Sequence, residues 1–185
     1  MNRVLAAICA LGWILCGEAP GQEKVPSPAY QEKYQQAAQA FANGNLDEAL
    51  KRLDEADQIE PNVAHGFNLR GAILTRKQDF DQAEAMFRKT LEIDPGMNLA
   101  LFNLGEVAFL RKDYAEARKR FQRFLEKNGS NDLGEFKVFL CDLMGGNPEA
   151  AKKAARAFPL SPSTPLRYYA LAAVAFKEGN EDEAV

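Results

Sequence analysis

One alanine recurs at a fixed step along the chain: Ala49, Ala83, Ala117 and Ala151 lie 34 residues apart. Asn45, Asp79, Asp113 and Asn147 keep that step, as do Leu46, Phe80, Tyr114 and Pro148, and so do the pairs Gly71 with Gly105 and Pro61 with Pro95. A unit this short cannot bury an apolar face on itself. It must stack on copies of itself, so the period restricts the chain to a repeat architecture.

The residues inside the unit describe two helices and a turn. In Asn45-Leu46-Asp47-Glu48 the asparagine is placed to cap the free N–H groups of a helix start. Glu48, Gln82 and Glu116, three residues after their caps, complete the pattern of a capping box. Pro61 and Pro95 mark where these second helices stop, because proline lacks the N–H that continuation requires. Leu46, Ala49, Leu50, Leu53 and Ala56 fall at helical spacing, as do Phe80, Ala83, Phe87, Thr90 and Leu91. The small residues at Ala49, Ala83, Ala117 and Ala151, with Gly71 and Gly105 on the first helices, predict close helix contacts.

Phe67-x-x-x-Gly71-x-x-Leu74, followed by Phe80-x-x-Ala83-x-x-x-Phe87 and Pro95, resembles the tetratricopeptide repeat consensus. Leu101-Phe102-Asn103-Leu104-Gly105, Tyr114-Ala115-Glu116-Ala117 and Phe121 repeat it. The resemblance implies an all-α fold, a right-handed α-solenoid of stacked antiparallel helix hairpins. It divides the chain into units 30–63, 64–97 and 98–131, a degenerate fourth hairpin over 132–164 and an incomplete fifth over 165–185, after a linker at 22–29. In the fourth, Phe139 replaces the small residue of the first helix, and Gly145-Gly146-Asn147-Pro148 is expected to loosen the turn. In the fifth, Asn180 and Glu183 form another capping box, and Tyr168, Leu171, Val174 and Ala175 are expected to present an uncovered apolar face. That face calls either for more chain beyond Val185 or for another chain packed on this end, self-association included.

In proteins of this family the first helices line a concave groove that holds a protein or peptide partner. Carrying the groove positions over gives Gln31, Tyr34, Ala38 and Phe41, then His65, Asn68, Ala72, Thr75 and Arg76, then Leu99, Phe102, Glu106, Phe109 and Leu110. Tyr34, His65, Asn68, Arg76, Phe102, Glu106 and Phe109 are the candidate partner-binding residues. Their rings can bury apolar anchors, while Asn68 and Arg76 can fix a backbone or a carboxylate. Phe41 and Phe109 are equally well suited to packing against the adjacent hairpin. The chaperone-carboxylate clamp of one branch of the family is not expected, since Tyr34, Ala38 and Leu99 occupy positions where it needs polar or basic groups.

Enzymatic chemistry finds no constellation. His65 is the single histidine, and Cys141, in the apolar run Val138-Phe139-Leu140-Cys141, reads as core. Neither metal nor other cofactor is implied, and the carboxylates of Glu92 and Asp94 read as helix-end solvation. With a formal net charge of -3, the chain offers no footprint for nucleic acid. The basic start Asn2-Arg3 and the apolar run Val4 to Leu15 predict a secretory signal peptide over 1–21, cleaved after Ala19-Pro20-Gly21, with export to the periplasm or beyond. Lipidation at Cys16 is the weaker expectation because Leu15, not a small residue, precedes it. The resulting expectation is an exported interaction scaffold in envelope assembly or secretion; the alternative is an accessory region of a longer enzyme or surface protein.

Overall fold

The computed structural model describes residues 25–129, 131–159 and 166–180. The expected signal peptide, Cys16 and Glu183 lie outside them. The described residues form helices joined by tight turns: α1 (Pro28–Ala42), α2 (Leu46–Ile59), α3 (Ala64–Arg76), α4 (Phe80–Ile93), α5 (Asn98–Leu110), α6 (Tyr114–Asn128), α7 (Asp132–Met144), α8 (Pro148–Ala157) and α9 (Leu166–Lys177). α1, α3, α5 and α7 each pair with the helix that follows, and successive hairpins stack into an α-solenoid. α1 begins inside the stretch expected to be linker: Ser27 accepts from Tyr30 N–H at 3.3 Å and Pro28 occupies the first turn.

The hairpin turns are built on one plan. At each, an N–H bonds back to the carbonyl five residues earlier: Asn45 to Ala40, Asp79 to Leu74, Asp113 to Ala108 and Asn147 to Asp142, at 2.8 to 3.0 Å. This is the Schellman closure, which places the intervening residue in the left-handed region. Gly44, Gln78, Lys112 and Gly146 fill that place, with φ of 81°, 63°, 64° and 82°. The fourth turn is therefore regular, contrary to the loosening expected from its two glycines. Asn180 closes the same bond to Ala175 at 2.9 Å, so the turn of the fifth hairpin forms as well. Gln78 and Lys112 pay the left-handed penalty that glycine avoids. Lys112→Gly is expected to stabilise the protein by about 0.5–1 kcal/mol, read as a higher urea midpoint; an unchanged or lower midpoint would contradict the strain.

The cap residues divide. Asp79, Asp113 and Asn147 accept from the N–H groups of Gln82, Glu116 and Ala150 at 3.1 to 3.3 Å, whereas Asn45 makes no such bond. The reciprocal half of the capping boxes is not made by Glu48 or Glu116: these carboxylates hold Arg52 and Arg120 one turn on, both at 2.7 Å. An arginine four residues along the same face competes for the carboxylate and wins through charge.

Packing inside the hairpins follows a size exchange between two positions. A Cβ on Gly71 would sit 2.6 Å from the Phe87 ring, and one on Gly105 2.6 Å from the Phe121 ring. The equivalent residues are Ala37 and Leu53 in the first hairpin and Phe139 and Ala155 in the fourth, all fully buried. When one partner grows, the other shrinks. The fourth hairpin thus keeps its interior filled by moving the large ring to α7, where Phe139 packs 5.5 Å from Phe136 and 6.0 Å from Phe158.

The last helix differs from its expected exposure. Ala170 and Val174 are buried in the core formed with Phe139, Leu143 and Ala155, Leu171 packs against that core, and Ala175 is buried as well. Tyr168 remains 61% exposed, and the other open apolar groups are Tyr169 and Phe176. The reason is register: Ala170 and Val174, four residues apart, face α7 and α8 and turn Tyr169 and Phe176 outward.

Candidate groove and its neighbourhood

The candidate residues on the N-terminal hairpins are largely engaged with one another. Tyr34 stacks on Tyr30 at 6.3 Å and meets His65 edge-on at 6.4 Å. Burial pushes the Tyr34 hydroxyl up from its ordinary pKa. Asn68 is buried and accepts from Asn103 Nδ2 at 3.1 Å, across the step from α3 to α5. Arg76, exposed, donates to the Phe41 carbonyl at 3.0 Å and lies over the Phe41 ring at 5.0 Å. Both residues therefore have a structural task that sequence reasoning did not find: each ties one hairpin to the next.

On the third hairpin, Phe102 lies against Phe121 and Phe124 at 5.2 and 5.3 Å, so it belongs to the packing of α5 on α6. Phe109 meets Tyr114 at 5.2 Å and carries the Lys137 ammonium at 5.8 Å from its ring. Glu106 pairs with Lys137 at 2.9 Å, linking α5 to α7. The structure thus joins Tyr34 with His65, and Glu106 with Phe109 through Lys137. Phe102 and Phe109 both pack against the core of Ala108, Ala117, Phe121 and Cys141.

The open apolar surface lies further along the array. Leu99, Leu110, Leu133 and Met144 are among the exposed large hydrophobic residues. They occupy just two places in the repeat, 34 residues apart in each case: Leu99 with Leu133, and Leu110 with Met144. His65 and Arg76 hold the same places one unit earlier. Between α7 and α9 a depression of about 590 Å³ continues this surface, lined by Leu140, Leu143, Met144, Ala173, Phe176 and Lys177. Of these, Leu140, Leu143 and Met144 follow from carrying the groove register one unit past the third, a step obscured by Phe139 in place of glycine. The face therefore changes along its length from polar at His65 and Arg76 to apolar at Met144 and Phe176.

Cys141 is buried between α5, α6 and α7 with Ala108, Ala117 and Phe121. Burial, with the negative charge of Asp142 nearby, pushes its thiol up to about 12. The neutral thiol is the form that the fold favours. Its contribution to stability is complete below the unfolded value near ~8.5 and is lost as pH rises from there towards about 12. At pH ~8 a maleimide is expected to label Cys141 only along the unfolding transition; rapid labelling of the native protein would contradict its burial.

Among the described residues no group of three or more His, Cys, Asp and Glu side chains is arranged to hold a metal ion. Nor is any described helix long and apolar enough to cross a membrane.

Hairpins of one repeating length, stacked so that odd helices share one face, define a helical repeat protein. The family model for the tetratricopeptide repeat matches residues 34–98 and 68–132, more than half of the chain, and the chain belongs to that family. Solved structures share the fold. MamA from Desulfovibrio magneticus RS-1, residues 41 to the end, superposes with a TM-score of 0.70 at 19% identity, over 86% of this chain and 91% of that one. PilW, described as a widely conserved type IV pilus biogenesis factor, gives 0.71 at 20% identity, over 85% of this chain and 74% of its own. YrrB, described as a tetratricopeptide repeat protein with an unusual peptide-binding site, gives 0.60 at 20%, over 83% and 79%.

Proposed function

We propose that this chain is a protein-interaction scaffold that receives an apolar helix or peptide of a partner along the face formed by its odd-numbered helices. The observation that carries the reading is the recurrence of exposed aliphatic side chains at Leu99, Leu110, Leu133 and Met144. Solvated aliphatic groups repeated in register on one face are costly unless something covers them, and they lead into the depression at Phe176. In this reading His65 and Arg76 meet the polar end of the partner, and Glu106 with Lys137 marks the change of character. Tyr34 and Asn68 hold the wall of the groove in shape, and Phe102 and Phe109 support it from behind. Service outside the cytoplasm, in envelope assembly or secretion, rests on the basic start and apolar run of residues 2–15.

The test is selection from a displayed library of random peptides against the full chain. Selected peptides are expected to carry apolar residues at helical spacing. Their binding should weaken at least tenfold in the Leu110→Glu/Met144→Glu variant, which alters only exposed groups and should keep its helical circular dichroism. Peptides that bind the variant equally well would overturn the reading.

A further inference from the structure

A second surface lies among the even-numbered helices. A cleft of about 460 Å³ opens between α4 and α6, and Leu91, Pro95, Leu101 and Leu104 supply its apolar lining. Arg88, Lys119, Arg120, Arg123 and Lys127 also line it, against the carboxylates of Glu92 and Glu116. Five cations against two anions give it a formal charge of +3 in a chain whose net charge is -3. The concentration of positive charge here is local.

The cations are not equivalent. Arg120 donates to Glu84 at 2.9 Å, to Glu116 at 2.7 Å and to the Leu104 carbonyl at 3.2 Å. Burial alone would raise the Glu84 carboxyl, but hydrogen bonds from Arg88 and Arg120 outweigh it and hold Glu84 below the usual range. Arg120 is therefore spent on joining the second and third hairpins. Lys119 and Arg123 are exposed and form no ion pair among the described residues. Lys127 reaches only the Pro95 carbonyl, at 3.4 Å. These three project from successive turns of α6 along one edge of the cleft.

We propose that this cleft is a docking site for an acidic peptide segment of a partner protein, whose carboxylates meet Lys119, Arg123 and Lys127 while an apolar side chain enters between Leu91 and Leu104. Arginine and lysine along one helix edge match carboxylates spaced along an extended or helical segment. The alternatives fit less well. A continuous phosphate backbone would meet Glu92 and Glu116, and the lining has no aromatic ring on which a base can stack. A membrane plane cannot reach the recessed leucines. The proposal is independent of the groove on the odd-numbered helices, and either can fail alone.

The experiment is fluorescence anisotropy of the full chain with a labelled glutamate-rich peptide carrying interspersed leucines, and with its glutamine-for-glutamate counterpart. Binding of the glutamate peptide is expected to fall as salt rises. It should weaken at least tenfold in Lys119→Glu/Arg123→Glu. It should survive in Lys51→Glu/Lys153→Glu, which makes the same charge change at exposed residues elsewhere. The glutamine peptide should bind weakly to all three proteins. No binding of the glutamate peptide, or equal losses in the two double variants, would overturn the proposal. Tighter binding to a single-stranded oligonucleotide or to anionic vesicles, lost in the same variant, would overturn it in favour of those partners.

Discussion

Replacing Phe139 by alanine is expected to release the C-terminal hairpins while leaving the first three folded. The ring is fully buried and contacts Phe136 and Phe158, in a core where Ala151, Ala155 and Ala170 are too small to close around the gap. Truncation of a buried phenylalanine costs about 3–5 kcal/mol, and the upper end applies where the site cannot collapse. In a solenoid each unit is stabilised mainly by its neighbours, so the loss is local. Native-state hydrogen exchange should show α7, α8 and α9 losing protection while α3 and α4 keep theirs. Uniform loss along the chain would mean that the array unfolds as one block.

Gly105→Ala is the second large effect. Alanine is ordinarily favoured over glycine inside a helix by about 1 kcal/mol, so a stabilisation is the naive expectation. Here the added methyl would lie 2.6, 2.8 and 2.9 Å from three atoms of the Phe121 ring, and that ring is fully buried beside Phe102. Several ring atoms are hit together, so the whole ring must move. Overpacking of this kind costs about 1–3 kcal/mol and exceeds the propensity gain at most of that range. The first hairpin holds the remedy, since Ala37 and Leu53 fill the same two places. Gly105→Ala/Phe121→Leu should recover part of the stability lost by Gly105→Ala alone. Urea unfolding of both variants decides this: a double variant less stable than the single would show that the exchange of size is not what fills the hairpin.

The fold was legible because its information is local and repeated. The capping aspartates, the stop prolines and the glycine–phenylalanine pairs each act within one unit, and repetition separates them from chance. The fourth hairpin was harder to read for a reason that the structure supplies: Phe139 with Ala155 is the same packing solution with its sizes exchanged, and a search for a recurring small residue misses it. The candidate groove was only partly legible. Register singles out Leu99 and Leu110, and both side chains are exposed. It does not reveal that Asn68 is held by Asn103, or that Arg76 lies over Phe41, because those partners come from a neighbouring unit about one repeat away. The cleft at Lys119 and Arg123 left no sequence signal, since lysines and arginines on α6 read as an ordinary solvated face until α4 is placed opposite them.

The charge ladder between hairpins shows why exposed ion pairs contribute little to stability. Lys77 meets Asp47 and, one repeat further along, Arg111 meets Asp81, both at 2.5 Å, yet the aspartate side chains are 89% and 96% exposed. Exposed pairs contribute roughly 0–1 kcal/mol each, well below the packing at Phe121 or Phe139. At the next step Ala115 and Gly145 stand in the corresponding places, so this ladder stops where the hairpins change their packing.

In the proposed reading a protein partner lies on the face carrying Leu110 and Met144. The direct measurement places a photo-crosslinking amino acid at Leu110, and in a second protein at Lys51 on α2, in cells producing the full chain. A discrete protein adduct is predicted from Leu110, absent from Lys51 and abolished by adding Met144→Glu. No adduct from Leu110, or the same adduct from Lys51, would mean that no partner lies on this face.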